Sequence, residues 1–463
     1  MSGSTSGKAP KLIPMYGFRM RLEIPSSKAC NPTFTGYMKF AEVRNDDESI
    51  MRIPIAVASG YWTRAACGFD DFERDKERLA EMVPGTVAPF GAGLIVNYRS
   101  LLLTHAAFAL AERSVDVLFL TWSTTVIDFM QWVDEEWEAL LEGIEKGKLP
   151  HFPETEEVHA AIATKFHADP ERAEELRKIG PPSGAAIGWA KKTWPSLNSL
   201  WVISTGAFER PLPKVRAFVG SDVRIATPGY FCTESPIAGT FGDEAPSLYK
   251  VLNDNYIELL EVLGDGEDGA VKQLWEVEYG KLYEPVFTTY DGLWRYRIQD
   301  AVQVVGFDPA DGAPVLKYKE RRNLSIMIPN CTLITSSDIT ESIADVEGLR
   351  HAEFTTFLDD RVVPSTVGFF IETTQTIGTL SSLDRDVIWD ALVETNGNFA
   401  TGAQRGFAIR PTIRILAPGT FAEFRHWRGS LNDSGSSQIK VPLITLDLRS
   451  QEFFLGKVID EVH

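Results

Sequence analysis

Residues 291–307 read DGLWRYRIQDAVQVVGF. An Asp-Gly turn opens the stretch, aromatic and basic residues follow, and the Val-rich run after Asp300 has the composition of a buried strand. Asp300 therefore falls between two strand-like runs. Read alone, this is a hairpin turn carrying a solvated Asp. Its importance for the fold lies in its neighbours, because the same β-rich character extends to either side.

From about Leu200 onward the runs LWVISTG, VRIATPGYF, VFTTYDGLWRYRI and AVQVVGF are separated by Gly, Pro and Asp-Gly turns, so the middle of the chain is expected to be sheet. Upstream, the apolar positions Val126, Met130, Val133, Trp137, Leu140 and Ile144 recur every three or four residues and predict one helical stripe ending near Gly147 and Pro150. Asp169 followed by Pro170 predicts a helix start, and Gly180 with Pro181 and Pro182 predicts its end; that short, polar helix is expected to be exposed. Downstream, STVGFFIETT and RPTIRIL read as strands around the helix candidate RDVIWDALVETNGNFA, with the Gly/Ser-rich RGSLNDSGSSQIKVP as a mobile loop. This order predicts a smaller α+β domain after the β-rich region.

At 463 residues the chain exceeds one ordinary core, so two or more domains are expected. A formal charge of -18 is the wrong sign for broad attraction to nucleic acid or anionic lipid, so an anionic substrate must be gathered by a local basic pocket. Cys30, Cys67, Cys232 and Cys331 lie far apart without metal-ligand spacing, which predicts neither a disulfide framework nor a zinc site and fits a reducing, cytoplasmic setting. The most apolar region, GLIVNYRSLLLTHAAFALAERSVDVLFLTW, is broken by Arg99, Glu112, Arg113 and Asp116 and reads as buried helix and strand, not as a membrane span. The N-terminus carries no basic segment followed by an apolar core, so no secretory leader is expected.

Four stretches carry candidate chemistry. SGSTSGK, residues 2–8, is not a Walker loop, because Gly3 and Gly7 enclose too few residues and Lys8 precedes Ala9. Its small residues still permit close phosphate approach, its hydroxyls donate, and Lys8 or Lys11 supplies charge; otherwise it is a flexible terminus. In ATPGYFCTES, residues 226–235, a strand-like run ends in Tyr, Thr and Glu, which offer a ring for a base, a hydroxyl for phosphate and a hard oxygen for magnesium. Within the opening stretch, Asp300 is suited to accept from both ribose hydroxyls and Arg297 to face phosphate. In SSQIKVP, residues 436–442, Lys440 follows the Gly/Ser loop. Singly, each of the last three is an ordinary strand end, turn or surface lysine.

Taken in order, the four resemble the adenylate-forming enzymes, and more closely the auxin-responsive Gretchen Hagen family of acyl acid amido synthetases. SGSTSGKAPKLIP resembles that family's first motif and following Lys-Leu-x-Pro. YFCTE keeps Tyr230 and Glu234 of its Tyr-Ala-Ser-Ser-Glu motif, with Thr233 in the hydroxyl slot. YRIQD keeps Tyr296, Arg297 and Asp300 of Tyr-Arg-x-Gly-Asp, with Gln299 in place of the family glycine. ERRNLSI, LAPGTF and GSSQIKVP also have counterparts, so the similarity covers nearly the whole chain.

The resemblance implies a mixed α/β and α+β fold: a large adenylate-forming domain, residues 1–322, with sheets flanked by helices, and a smaller mobile C-terminal domain, residues 323–463. The hinge is expected near Arg321 and Arg322. It implies that Ser4, Thr5, Ser6, Gly7 and Lys8 cradle the phosphates of ATP, that Tyr230 flanks adenine, and that Thr233 lies near the α-phosphate. Asp300 would fix the ribose with Arg321 among the nucleotide-binding residues, and Glu234 would hold Mg2+. Arg297 and Lys440 are the catalytic cations of this reading, and the partners are a small-molecule carboxylic acid and an amino acid. A thiol acceptor such as coenzyme A, or a non-catalytic nucleotide-binding relative, are the alternatives. Family members carry a substantial segment ahead of the phosphate loop, so the large domain is expected to be incomplete at its N-terminus.

Overall fold

The computed structural model describes residues 12–15, 28–184, 187–205, 208–209, 211–242, 247–263, 268–322, 324–328, 332–344, 346, 349, 352–372, 382–431 and 440–462. The first described elements are β1 (Ala29–Cys30), the hairpin β2 (Tyr37–Arg44) and β3 (Ile50–Ala56), and α1 (Ala58–Cys67). The apolar region then forms α2 (Tyr98–Ala111), buried along nearly its whole length, and β4 (Val117–Trp122). The predicted single helical stripe is two helices, α3 (Ser123–Glu135) and α4 (Trp137–Lys146), separated at Glu136. Both bury their apolar faces in one core with α2, so the continuous periodicity records a shared environment, not a continuous helix.

Next come α5 (Glu156–Ala163), α6 (Pro170–Ile179), α7 (Trp189–Thr193), β5 (Ser199–Ile203), α8 (Leu212–Val219) and β6 (Arg224–Ala226). The carboxylate of Asp169 accepts the amide of Arg172 and caps α6 as its spacing predicts. Contrary to the expectation of an exposed helix, Arg172, Ala173 and Leu176 are buried; the Arg172 guanidinium donates to the carbonyls of Leu110 and Thr193, which lets a sequence poor in apolar residues pack. Strands β1-β4-β5-β6 form a parallel sheet, each crossover carrying helices over its faces.

The middle of the chain is sheet, as its turns and β-branched runs predict. It comprises β7 (Tyr230–Phe231), β8 (Pro236–Thr240), β9 (Leu248–Val251), β10 (Tyr256–Val262), β11 (Asp268–Lys272), β12 (Leu282–Thr288), β13 (Tyr296–Arg297), β14 (Asp300–Phe307) and β15 (Pro314–Arg321). The order is β11-β10-β12-β14-β15-β9-β8-β7, antiparallel throughout, with β13 added to β12. Tyr230 on β7 nevertheless hydrogen-bonds to Asp300 on β14, which requires the sheet to curl until non-adjacent strands face each other.

Beyond Arg322 lie the hairpin β16 (Ser325–Ile328) and β17 (Thr332–Thr335), α9 (Ser336–Ser342), β18 (Glu353–Asp359), β19 (Thr366–Glu372), α10 (Ser382–Thr395), α11 (Gly397–Gln404), β20 (Thr412–Leu416), α12 (Thr420–Leu431), α13 (Leu448–Leu455) and β21 (Val458–Val462). The helix candidate after Arg385 is divided at Asn396, whose side chain caps α11 by accepting the amide of Phe399. Strands β18-β19-β20-β21 form a mixed sheet with two apolar clusters built wholly from this part of the chain. Among the described residues, no helix is long and apolar enough to cross a membrane.

Candidate active site

The motif around Tyr230 is positioned by a tight turn: Cys232 and Ser235 exchange backbone hydrogen bonds at 3.0 and 3.3 Å, leaving Thr233 and Glu234 at its tip. From the other side, β13 and β14 bring Tyr296 and Asp300. The Tyr296 hydroxyl donates to Glu234 Oε1 at 2.9 Å, and the Tyr230 hydroxyl donates to Asp300 Oδ2 at 2.8 Å. Two motifs far apart in sequence are thus joined by two tyrosine–carboxylate bonds.

Asp300 is 8% exposed, and its second oxygen, Oδ1, has no hydrogen-bond partner; Arg321 Nη1 lies 3.7 Å away. Burial pushes this carboxyl above the ordinary carboxylate range, while Arg321, the Tyr230 hydroxyl and Lys440 oppose the shift. Asp300 and Arg321 are register partners on β14 and β15, so the backbone itself sets their separation. The Tyr230 ring is buried among Tyr249 and Tyr318, and its hydroxyl holds Asp300.

Arg297 is the residue the geometry takes furthest from its expected place. Successive strand residues point to opposite faces, so where Tyr296 reaches Glu234, Arg297 turns away. Its guanidinium bonds to both oxygens of the fully buried Glu284 at 3.1 and 2.6 Å and to both oxygens of Asp268 at 2.6 and 2.9 Å. Arg322 joins the same carboxylates. Glu284 Oε1 also accepts the amide of Gln299 at 3.0 Å, and the Gln299 carbonyl accepts the amide of Arg322 at 2.7 Å. Gln299 has φ 64°, in the left-handed region, so the turn a glycine would make is kept, held from both sides.

Lys440 comes from the C-terminal part of the chain yet lies against the first sheet. Its Nζ is 3.9 Å from the centroid of the Trp122 ring, at the end of β4, and 5.7 Å from that of Phe208; the two rings stack at 4.8 Å. Desolvation brings its ammonium down to about 8; Asp300 opposes the shift and Arg321 adds to it. Lys440, Arg321 and Asp300 therefore share one electrostatic neighbourhood.

Sequence reasoning missed a further set. Trp122 Nε1, Ser204 Oγ and Thr227 Oγ1 are buried without hydrogen-bond partners, and they follow or end β4, β5 and β6. The carboxyl ends of parallel strands are where open α/β sheets bind ligands. The available signal was the placement of polar residues directly after apolar strand runs, as in LWVIS. Ser4, Thr5, Ser6, Gly7 and Lys8 lie outside the described residues.

The model of the GH3 family N-terminal domain matches residues 1–224, and that of the GH3 family central domain matches residues 249–321. The chain belongs to the GH3 family.

Indole-3-acetic acid-amido synthetase GH3.8 of Oryza sativa subsp. indica is 26% identical over 387 residues, covering 79% of this chain and 63% of the relative. Jasmonoyl--L-amino acid synthetase GH3.5 of Oryza sativa subsp. japonica is 25% identical over 396 residues, covering 80% and 67%. The chain thus spans about two thirds of the length of these curated relatives. In fold it is similar to the GH3.15 acyl acid amido synthetase in complex with 2,4-DB, with a TM-score of 0.75 and 19% identity over 99% of this chain and 81% of that one. This GH3-family fold is the mixed architecture expected from the sequence.

Proposed function

We propose that the chain is an ATP-dependent ligase that adenylates a carboxylic acid and passes the acyl group to the amine of an amino acid. The observation that carries the reading is the orphaned Oδ1 of buried Asp300. A buried acceptor that receives no hydrogen bond, with Arg321 3.7 Å away, is suited to a ribose hydroxyl, and charge-assisted bonds of this kind are worth about 1.5–3 kcal/mol. The named activities of the amido synthetase relatives support the same reaction class.

In this mechanism Asp300, aimed by Tyr230, holds the ribose, and Thr233 lies near the α-phosphate. Ser4, Thr5, Ser6, Gly7 and Lys8 cradle the phosphates. The substrate carboxylate attacks the α-phosphorus in line and pyrophosphate leaves, with Lys440 and Arg321 neutralising the developing charge. Glu234, a hard carboxylate oxygen donor kept in orientation by Tyr296, would hold Mg2+, which supplies further neutralisation on the phosphate oxygens. The amine then attacks the acyl carbonyl and AMP is expelled. Arg297 acts at a distance, by fixing the turn that aims Asp300.

Residues 1–322 form the large domain of this scheme and 323–463 the small, mobile one that brings Lys440, with the hinge at Arg321 and Arg322. The free thiols Cys30, Cys67 and Cys232 suit the reducing cytoplasm. The test is acid-dependent exchange of labelled pyrophosphate into ATP, followed by AMP release with a panel of amino acids and, separately, with coenzyme A. Exchange plus amine-dependent release is expected. Release with the thiol alone would refute the amide reading, and binding of ATP without any exchange would favour a non-catalytic relative.

A further inference from the structure

A second set of charges, centred on a buried arginine and apart from the nucleotide residues, links the C-terminal part of the chain to the first. Arg425 on α12 is 4% exposed; its Nη2 donates to Glu353 Oε1 on β18 at 2.5 Å, and its Nη1 lies 3.5 Å from Asp128 Oδ2 on α3. The same Asp128 oxygen accepts from the Tyr98 hydroxyl on α2 at 3.0 Å, and that hydroxyl lies 3.3 Å from Thr125 Oγ1. Glu372 on β19 faces the group from behind, bound to the amides of Gly419 and Phe421 at the start of α12. Two carboxylates thus pair with one guanidinium, and a third lies within its electrostatic reach. An ion pair in such a place is poor evidence for stability but strong evidence for geometry, because leaving either charge buried alone is costly.

The connection to Lys440 is mechanical. Trp122, against which Lys440 lies, is the residue before α3, and Asp128 is one and a half turns into that helix, roughly 9 Å further along its axis at 1.5 Å per residue. On the other side, β18 carries Glu353 and also holds the segment that follows Lys440: Thr356 and Leu443 bond at 2.8 Å, Thr445 and Thr356 at 2.7 Å, and Thr355 Oγ1 donates to the Pro442 carbonyl at 2.6 Å. Two contacts on one β4–α3 corner therefore meet two contacts fixed to one strand of the C-terminal sheet. Two points of attachment define an orientation that one cannot.

We infer that Arg425 is a positioning residue: its ion pair with Asp128 holds the small domain in the orientation that brings Lys440 to the nucleotide site, and it must separate before that domain turns for acyl transfer. The inference rests on the adenylation reading above for its catalytic consequence, but not for its structural one. Burial and the excess of carboxylates raise Glu353 to about 7, with Asp128 and Glu372 also raised and Arg425 opposing. Turning the domain out frees Glu353 from the Asp128 charge, so the docked orientation takes up protons and is favoured as pH falls through 7.

The test compares wild type with Asp128→Asn, Arg425→Lys and Arg425→Met, each first shown to be folded by its thermal transition. Inter-domain distance is read by pulsed electron spin resonance between labels at exposed Glu174 and Asp390. Wild type is expected to show a predominant distance at pH 6 that loses population by pH 8.5; Asp128→Asn and Arg425→Met should populate a second distance at both pH values, with Arg425→Lys intermediate. Activity is split into pyrophosphate exchange and amide formation from supplied acyl adenylate. Exchange should fall about tenfold or more in Arg425→Met, while the transfer half-reaction is retained. Unchanged distance distributions in both Asp128→Asn and Arg425→Met would overturn the inference, as would equal losses in the two half-reactions. If wild type performs neither half-reaction the functional reading fails, and the distances still decide the docking claim.

Discussion

Replacing Arg297 with Met distinguishes a clasp from a catalytic cation. Two of its four bonds go to Asp268, whose side chain is 44% exposed, and bonds of that kind contribute under about 1 kcal/mol. The other two go to Glu284, whose side chain is fully buried, and removing one partner of a buried pair costs about 3–5 kcal/mol. Arg322 still bonds to Glu284 at 2.6 Å and the Gln299 amide at 3.0 Å, so the lower end applies. The sum is about 3 kcal/mol, enough to raise local opening of the β13–β14 turn roughly a hundredfold. Hydrogen exchange of the amides from Tyr296 to Gln303 measures this directly. Arg297→Lys should recover part of the protection, because an ammonium keeps the charge but not the paired geometry. Unchanged protection in Arg297→Met, with pyrophosphate exchange abolished, would refute the clasp and return Arg297 to the phosphates.

Gln299→Gly should stabilise the turn by roughly 0.5–1 kcal/mol, the left-handed penalty of about 1–2 kcal/mol less the extra flexibility of glycine, as read by the denaturation midpoint; Gln299→Val should lower it. For Lys440, whose ammonium is lowered to about 8, the charged form is lost as pH rises through 8 instead of through the ordinary lysine range. The kcat/KM for exchange should therefore fall above about pH 8, and Lys440→Arg, charged throughout, should move that limb to higher pH. Asp300→Asn should cost about 10–100-fold in exchange, chiefly through KM for ATP, with little change in folding because the amide oxygen still accepts from Tyr230. Glu353 is raised to about 7 in the folded state, so it binds its proton more tightly there than when unfolded; stability should fall as pH rises from about 4.5 to 7, and Glu353→Gln should flatten that slope in urea titrations at successive pH values.

The sequence and the structure agree where one local rule sufficed. β-rich composition and turn residues placed the strands between Leu200 and Phe307, and Asp169-Pro170 placed the start of α6. They part where two elements share one environment. Helices α3 and α4 bury the same kind of face in the same core, so their joint periodicity could not reveal the break at Glu136. The burial of Arg172 was equally hidden, because its partners are carbonyls of Leu110 and Thr193, which no side-chain pattern records.

The candidate site divides in the same way. Tyr230, Glu234, Tyr296 and Asp300 were legible as short motifs because each is read within a few residues, and the curl of the sheet brings them together. Arg297 bonds to Glu284 and Asp268 for a reason also present in the sequence: it is adjacent to Tyr296 on a strand, and adjacency on a strand means opposite faces. The turn at Gln299 adds a second lesson. A side chain where the family has glycine suggests a changed turn, yet the backbone still reaches φ 64° because Glu284 and Arg322 each hold one end of the same residue. Glu284 thus links the substituted position, the displaced arginine and the aim of Asp300. A buried carboxylate contributed by β12, outside the motif itself, decides how the motif after it is presented.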